Sequence, residues 1–506
     1  MSGKKARARK QKKERRDANA AITANAGEAI PGLPDHLVVT HILRSGHFDN
    51  PADLARLPAV SRTMRDAVAE TGLRFEELDE KRAVELGCLS AVQRLQRRGL
   101  LSRQEYLCEA AARSGQLKKL KALRAYETPW DMDTFFAAAS GGHLDVLQWL
   151  RAIGCPWSAN TCASAAYGGH LEVLQWLRAN GCPWNADRCS RAAGGGHLQV
   201  LQRAHANGCP WDEKAMYIAS QNGHETVVRA LIEAGADVNK VTDIGATPLY
   251  IAAQNGHETV VRVLIEAGAD VNSAKDDGAT PLYVAAQEGD ETMVRVLIQA
   301  GADVNKAMDN GMKPLFMAAR KSHEIVVRAL IEAGADVDNA RDMGVTALYF
   351  AAQSGNEAVV TALIETGANV NKAKDDGVTP QYIATCNGHE AVVRALIETG
   401  ANVNKAKDDG VTPQYIATCN GHEAVVRALI ETGANVNKAK DDGVPPLYIA
   451  TCNGHEAVVR ALIEAGADVN KATDNGGTPL VVAVKSGHET VVRALIEAGA
   501  RQRCVG

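Results

Sequence analysis

Aromatic side chains are scarce: phenylalanine, tryptophan and tyrosine make up only 4% of the 506 residues. Large aromatics dominate an ordinary core, so small aliphatic side chains must carry much of the packing here. No run approaches the ~18 consecutive apolar residues that a membrane helix needs. The first residues also lack the apolar stretch of a secretory signal. Both absences predict a soluble, intracellular chain. No P-loop, Gly-x-Ser-x-Gly, His-Glu-x-x-His or kinase signature occurs, which argues against an enzyme and against any cofactor. The 11 cysteines have no secretory context and recur with the rest of the pattern, so reduced thiols are expected.

Glycine is abundant and periodic. From Gly223 a glycine returns every 33 residues through Gly256, Gly289, Gly355 and on to Gly487, with Ser322 the single substitute. A second series, Gly235 to Gly499, keeps the same period without exception. In the unit Thr247 to Ala279, Thr247 can cap a helix and Pro248 suits its first turn. Ala252 and Ala253 leave room for a neighbouring backbone. Val260, Val261, Leu264 and Ile265 then form one stripe of a second helix, which Gly268 ends. A polar turn through Asp276 and Gly278 leads to the next unit. Arg229 with Glu233, and Arg262 with Glu266, stand at i, i+4 and predict ion pairs along the second helices. Helices of about ten residues are marginal alone, so each pair must bury its stripe against its neighbours. The expected fold is an all-α solenoid of stacked helix-turn-helix units with short projecting turns.

Upstream the period falls to 27, through Gly196, Gly169 and Gly142. The stretch from Gly154 to Gly169 is 15 residues where Gly235 to Gly256 is 21, so the projecting turn has been trimmed. All six tryptophans fall in this block, mostly as Pro-Trp pairs at repeat spacing, which predicts wedges between repeats more than an exposed partner site. The expected divisions are a disordered basic tail over 1–30, a small helical segment over 31–80, short repeats over 81–211 and long repeats over 212–506.

The phrases Thr-Pro-Leu, Gly-His-Glu, Val-Val-Arg, Leu-Ile-Glu and Gly-Ala-Asp-Val-Asn resemble the ankyrin-repeat family closely. The resemblance implies right-handed stacks with projecting turns and a protein partner bound to their surface. One departure is systematic. Where the family favours His after Thr-Pro-Leu, this chain has Tyr250, Tyr283, Phe316, Tyr349, Tyr382, Tyr415, Tyr448 and Val481, which removes the hydrogen bonds of that histidine.

Ten histidines recur in the turn between helices, from His143 to His488, with cysteines such as Cys155 and Cys162 nearby. Structural zinc needs four ligands within ~2.3 Å of one ion, whereas equivalent residues of stacked repeats lie about 9 Å apart, so no metal is expected on this set. The projecting turns carry one aspartate per unit: Asp243, Asp276, Asp309, Asp342, Asp375, Asp408, Asp441 and Asp474. Local turn capping is the expected role of that row. Asp277, Asp376, Asp409 and Asp442 add a second carboxylate beyond what capping needs. Together they make a candidate partner-binding row that favours a basic protein.

Residues 1–20 hold nine Lys or Arg against two acids, a tail of +7 on a chain of net charge −4. Such a run can serve nuclear import, giving a cytoplasmic and nuclear expectation, and without interleaved aromatics it is a poor nucleic-acid reader. Leu33 to Val68 reads as short helices opened by Leu33, Pro34 and Asp35 and resembles an F-box, although Met64 stands where that family commonly has Trp. The resemblance implies that Leu33, Pro34 and Leu37 contact the adaptor of a cullin-type ubiquitin ligase; the alternative is a helical cap on the first repeat. Two functions therefore stand open: a protein-interaction scaffold, or the substrate-recognition subunit of such a ligase.

Overall fold

The computed structural model describes residues 79–85, 89–158, 160–181, 186–206 and 213–501. The basic tail, the F-box-like segment with Leu33, Pro34 and Leu37, and Trp184 and Trp211 lie outside the described residues. The chain divides into two compact units, Met1–Pro210 and Trp211–Gly506. Among the described residues all regular elements are helices, as the repeat pattern predicts. None is long and apolar enough to cross a membrane.

The second unit is a run of helix pairs such as Pro248–Gln254 with Glu258–Glu266. Thr247 begins the pair: its Oγ1 accepts the N–H of Tyr250 at 3.1 Å, and Pro248 occupies the first turn, where a missing donor costs nothing. Thr280, Thr346, Thr379, Thr412 and Thr478 repeat the cap, while Lys313 and Pro445 replace it without a side-chain bond. Gly268 closes the second helix at φ +87°, a backbone that a side chain would strain. Leu249, Ala252, Ala253, Val260, Val261 and Leu264 are buried. First helices pack on first helices and second helices on second helices, so each repeat buries its stripe against the next.

The tyrosines that replace the family's histidine act as core. Tyr250, Tyr283, Tyr382 and Tyr415 are buried, and Val378, Tyr382, Val411 and Tyr415 form one cluster against Tyr349, Ile383 and Ile416. Apolar packing thus occupies the base of the projecting turns. Gln381 and Gln414 break the pattern, since they stand where other repeats have Leu249 or Leu447. Both are buried, and neither amide has a hydrogen-bond partner.

In the first unit, pairs such as Met132–Ser140 with Leu144–Ala152, and Asn160–Tyr167 with Leu171–Ala179, stack chiefly through their first helices. The links between pairs are short, 153–159 against 267–280 in the second unit. Among the described residues, Trp130 and Trp157 of these links are half-buried, while Pro129 and Pro156 are exposed. Trp130 meets Trp149 edge-on at 5.9 Å, and Trp157 lies 5.7 Å from Phe135. Arg124 and Arg151 sit over Trp130 and Trp157 at 4.3 and 4.8 Å. One expectation fails here: Cys162 is disulfide-bonded, although Cys108, Cys155, Cys386, Cys419 and Cys452 are free.

Candidate functional site

The projecting turns, or fingers, of the second unit are built by two sets of bonds. The first is an asparagine staple. Asn404 Oδ1 accepts the N–H of Asn435 at 2.9 Å, and its Nδ2 donates to the Gly433 carbonyl at 3.3 Å, both in the next repeat. Asn272, Asn305, Asn371 and Asn437 do the same. Asp338 replaces Asn in one repeat and keeps only the acceptor half, taking the N–H of Asn369 at 2.8 Å. The second set joins finger to finger through the backbone: the N–H of Asp309 donates to the Asp277 carbonyl at 3.1 Å, and that of Asp375 to the Met343 carbonyl at 3.0 Å.

The two aspartates of a finger have roles opposite to those expected. The second residue is the cap. Asp277, Asp376, Asp409 and Asp442 each accept the backbone N–H two residues on, at 3.1 to 3.2 Å, and each pairs with a lysine: Lys275, Lys374, Lys407 or Lys440. Burial alone would raise the Asp277 carboxyl; the bonds from Lys275 and Ala279 outweigh it and hold the group below its usual range. Asn310, Thr242 and Thr473 supply the cap where a finger has no second aspartate.

The first residue, Asp243, Asp276, Asp309, Asp342, Asp375, Asp408, Asp441 or Asp474, is exposed. Among the described residues its carboxylate accepts no hydrogen bond and enters no ion pair. The backbone N–H of Asp276, Asp309, Asp375 and Asp408 is held by the finger before it. The preceding finger's glycine leaves the aspartate room: a Cβ on Gly410 would collide with Asp441. The result is a row of carboxylates outside any ion pair on successive fingertips, roughly 9 Å apart by the stacking of helices. Lys306, Lys372 and Lys471 do not neutralise it directly, because their ammonium groups donate to carbonyls of the preceding repeat. Exposed apolar side chains, Val241, Ile244 and Met343, stand beside the row.

On the second helices the i, i+4 spacing holds but with the preceding glutamate: among the described residues Arg229 pairs with Glu225 and Arg262 with Glu258, both at 2.8 Å, in place of Glu233 and Glu266. Arg427 Nε meets Glu423 at 2.9 Å, four residues back, and its Nη1 reaches Glu464 of the next repeat at 3.0 Å. Arg295, Arg328 and Arg394 repeat both contacts. The turn histidines are also structural. Nε2–H of His422 donates to the Cys386 carbonyl at 3.0 Å, and that of His143 to the Arg113 carbonyl at 3.0 Å. The Nε2–H is thus committed to the preceding repeat, and Nδ1 lies against that repeat's glycine, where a Cβ on Gly388 would come within 2.8 Å of His422 Nδ1.

One cluster lies outside every repeated set. Glu109, Asp131 and Asp133 of the first unit bring carboxylate oxygens within 4.8 Å of one another. Burial pushes Glu109 up to about 7, with Asp131 and Asp133 adding to it. Nothing in the sequence periodicity singles these residues out.

A family model described as ankyrin repeats (3 copies) matches residues 189–275, 241–308, 264–341, 282–374, 370–440 and 433–504. Among solved structures, the chain is similar to the human ASB11 ankyrin repeat domain at 28% identity and a TM-score of 0.41, over 44% of this chain and 100% of that one. No curated protein matches.

Proposed function

Because the chain belongs to the ankyrin-repeat family, a family of protein-interaction modules, we propose that it is a non-enzymatic scaffold that holds a basic protein segment along its fingertips. The carrying observation is the row from Asp243 to Asp474, whose carboxylates are exposed and unbonded while the second aspartates are consumed by capping. A carboxylate outside any ion pair steers an oppositely charged partner, and at Asp276, Asp309, Asp375 and Asp408 it stands on a backbone held by the preceding finger. Exposed Ile244 and Met343 supply apolar contact beside it. The test places a photo-crosslinking residue at Asp408 on the fingertips or at Glu464 on the opposite face, in cells, and identifies adducts by mass spectrometry. Adducts rich in Lys and Arg at the Asp408 position only are expected. Adducts at Glu464 alone would move the site to the other face.

A second reading rests on the F-box-like pattern of Leu33, Pro34 and Leu37. In it these residues dock a cullin-ligase adaptor, and the repeats present a substrate. Changing Leu33 and Pro34 to Ala should abolish co-purification with the adaptor while melting stays unchanged. A loss of folding in the repeats instead would make the segment a cap. The basic tail is read as a nuclear-import signal, which removal of residues 1–17 tests by moving the protein out of the nucleus.

A further inference from the structure

We propose that Glu109, Asp131 and Asp133 form a binding site for a hard divalent cation, calcium or manganese rather than zinc. Glu109 projects from the first helix of one repeat, Glu105–Arg113; Asp131 caps the first helix of the next, Met132–Ser140, and Asp133 lies in its first turn. One oxygen from each falls within 4.8 Å of the others. Clustered surface acids alone would mean little, but Glu109 is not on the surface. It is 7% exposed, and its Oε1 is fully enclosed with no hydrogen-bond partner. An enclosed carboxylate oxygen without a donor is costly, and the same side chain brings an oxygen within 4.8 Å of two more carboxylates.

Of the two neighbouring arginines, Arg103 donates to Asp131 Oδ2 at 2.6 Å, at the rim of the cluster, and Arg113 Nη1 to Ser140 Oγ at 2.9 Å. Asp131 Oδ1 accepts the N–H groups of Asp133 at 3.0 Å and Thr134 at 3.4 Å, which orients the carboxylate and leaves the second lone pair of Oδ2 open. An all-oxygen set of three carboxyl groups suits calcium or manganese, with water completing the shell on the exposed Asp133 side. The ion would join two successive repeats, so binding would tighten their interface by mass action.

The experiment uses the full chain freed of metal by a chelator, titrated calorimetrically with calcium and with manganese chloride. One site per chain is expected, with a dissociation constant on the order of 10⁻⁴ M, as in weak protein calcium sites. Saturation should raise the melting temperature of the first unit. Glu109→Gln and Asp133→Asn should each weaken binding about tenfold or more while keeping the far-UV spectrum of the parent. If Glu109→Gln fails to fold, the exposed Asp133→Asn decides. Absence of binding at about 10 mM ion, a hundredfold above that constant, overturns the site. So does binding that both folded variants retain, which would place the ion on the fingertip aspartates.

Discussion

In the first unit a turn histidine reaches back 30 residues to a carbonyl, His143 to Arg113; in the second it reaches back 36, His422 to Cys386; the bond is 3.0 Å in both. The six extra residues therefore do not enter the turn or the stack. They enter the link between pairs, where the first unit places Trp130 and Trp157 under arginines and the second places a finger stapled by asparagine. Stacking and finger are separable devices. The histidine lock sets the stack, and the finger brings its own bonds, so its tip is free to carry charge that stability does not need.

The histidine lock is the sharpest point of the comparison. The ring of His389 fills the space beside Gly355, where an added Cβ would lie 2.4 Å from Nδ1. Ser322 is the natural exception, holding φ +66°, and the residue that would press on it is Asn356 instead of His. Gly355→Ser should thus cost about 3–5 kcal/mol, strain plus overpacking, and adding His389→Asn should recover about half. Gly400→Ser, at a glycine with open space around it, should cost only the backbone part, about 1–3 kcal/mol. Denaturant titration of the three variants checks this; equal losses at both glycines would remove the lock from the account.

The enclosed polar groups without a hydrogen-bond partner include a carboxyl oxygen of Glu109 in the first unit and the amides of Gln381 and Gln414 in the second. Leu348 and Leu447 fill the place of those amides in the flanking repeats. Gln414→Leu should stabilise the second unit by about 1–3 kcal/mol, read as a shift in denaturant midpoint. The staple offers a smaller gain. Asp338→Asn restores the donor that the other repeats aim at their glycine carbonyl, here Gly367, and should add about 0.5–1.5 kcal/mol and slow hydrogen exchange at Asn369.

The smallest effect belongs to pH. Burial first, then the neighbouring Asp442, pushes the Tyr415 phenol from its usual 10.0 to about 12, and burial raises Tyr382 as well. A raised folded value means stability that is complete below pH 10.0 and lost as pH rises toward about 12. The second unit should weaken across that window, and Tyr382→Phe with Tyr415→Phe should flatten the loss in an alkaline melting series.

Much of this was legible in the sequence, and the illegible part has a common cause. Thr247, Pro248 and Gly268 do what their positions predict because caps and turns are local. Partners across repeats are not local. Arg427 takes Glu464, 37 residues on, and the i, i+4 rule does not reach that far. The exchange of roles between Asp276 and Asp277 turns on one residue of finger geometry, which composition does not encode. Glu109 and Asp131 meet only because neighbouring first helices stack, and Glu109 does not recur to betray the meeting.

The central claim is that repeats are held by nearest neighbours alone, leaving the fingertips for a partner. Residues 371–403 and 404–436 are identical, so deleting the second copy joins Val403 to Asn437 and recreates a native junction. Every bond that spans one repeat can re-form. Circular dichroism and denaturant unfolding of that deletion are the most direct test. A folded protein with the same helicity per residue and a modestly lower midpoint is predicted; loss of helicity across the second unit would contradict it.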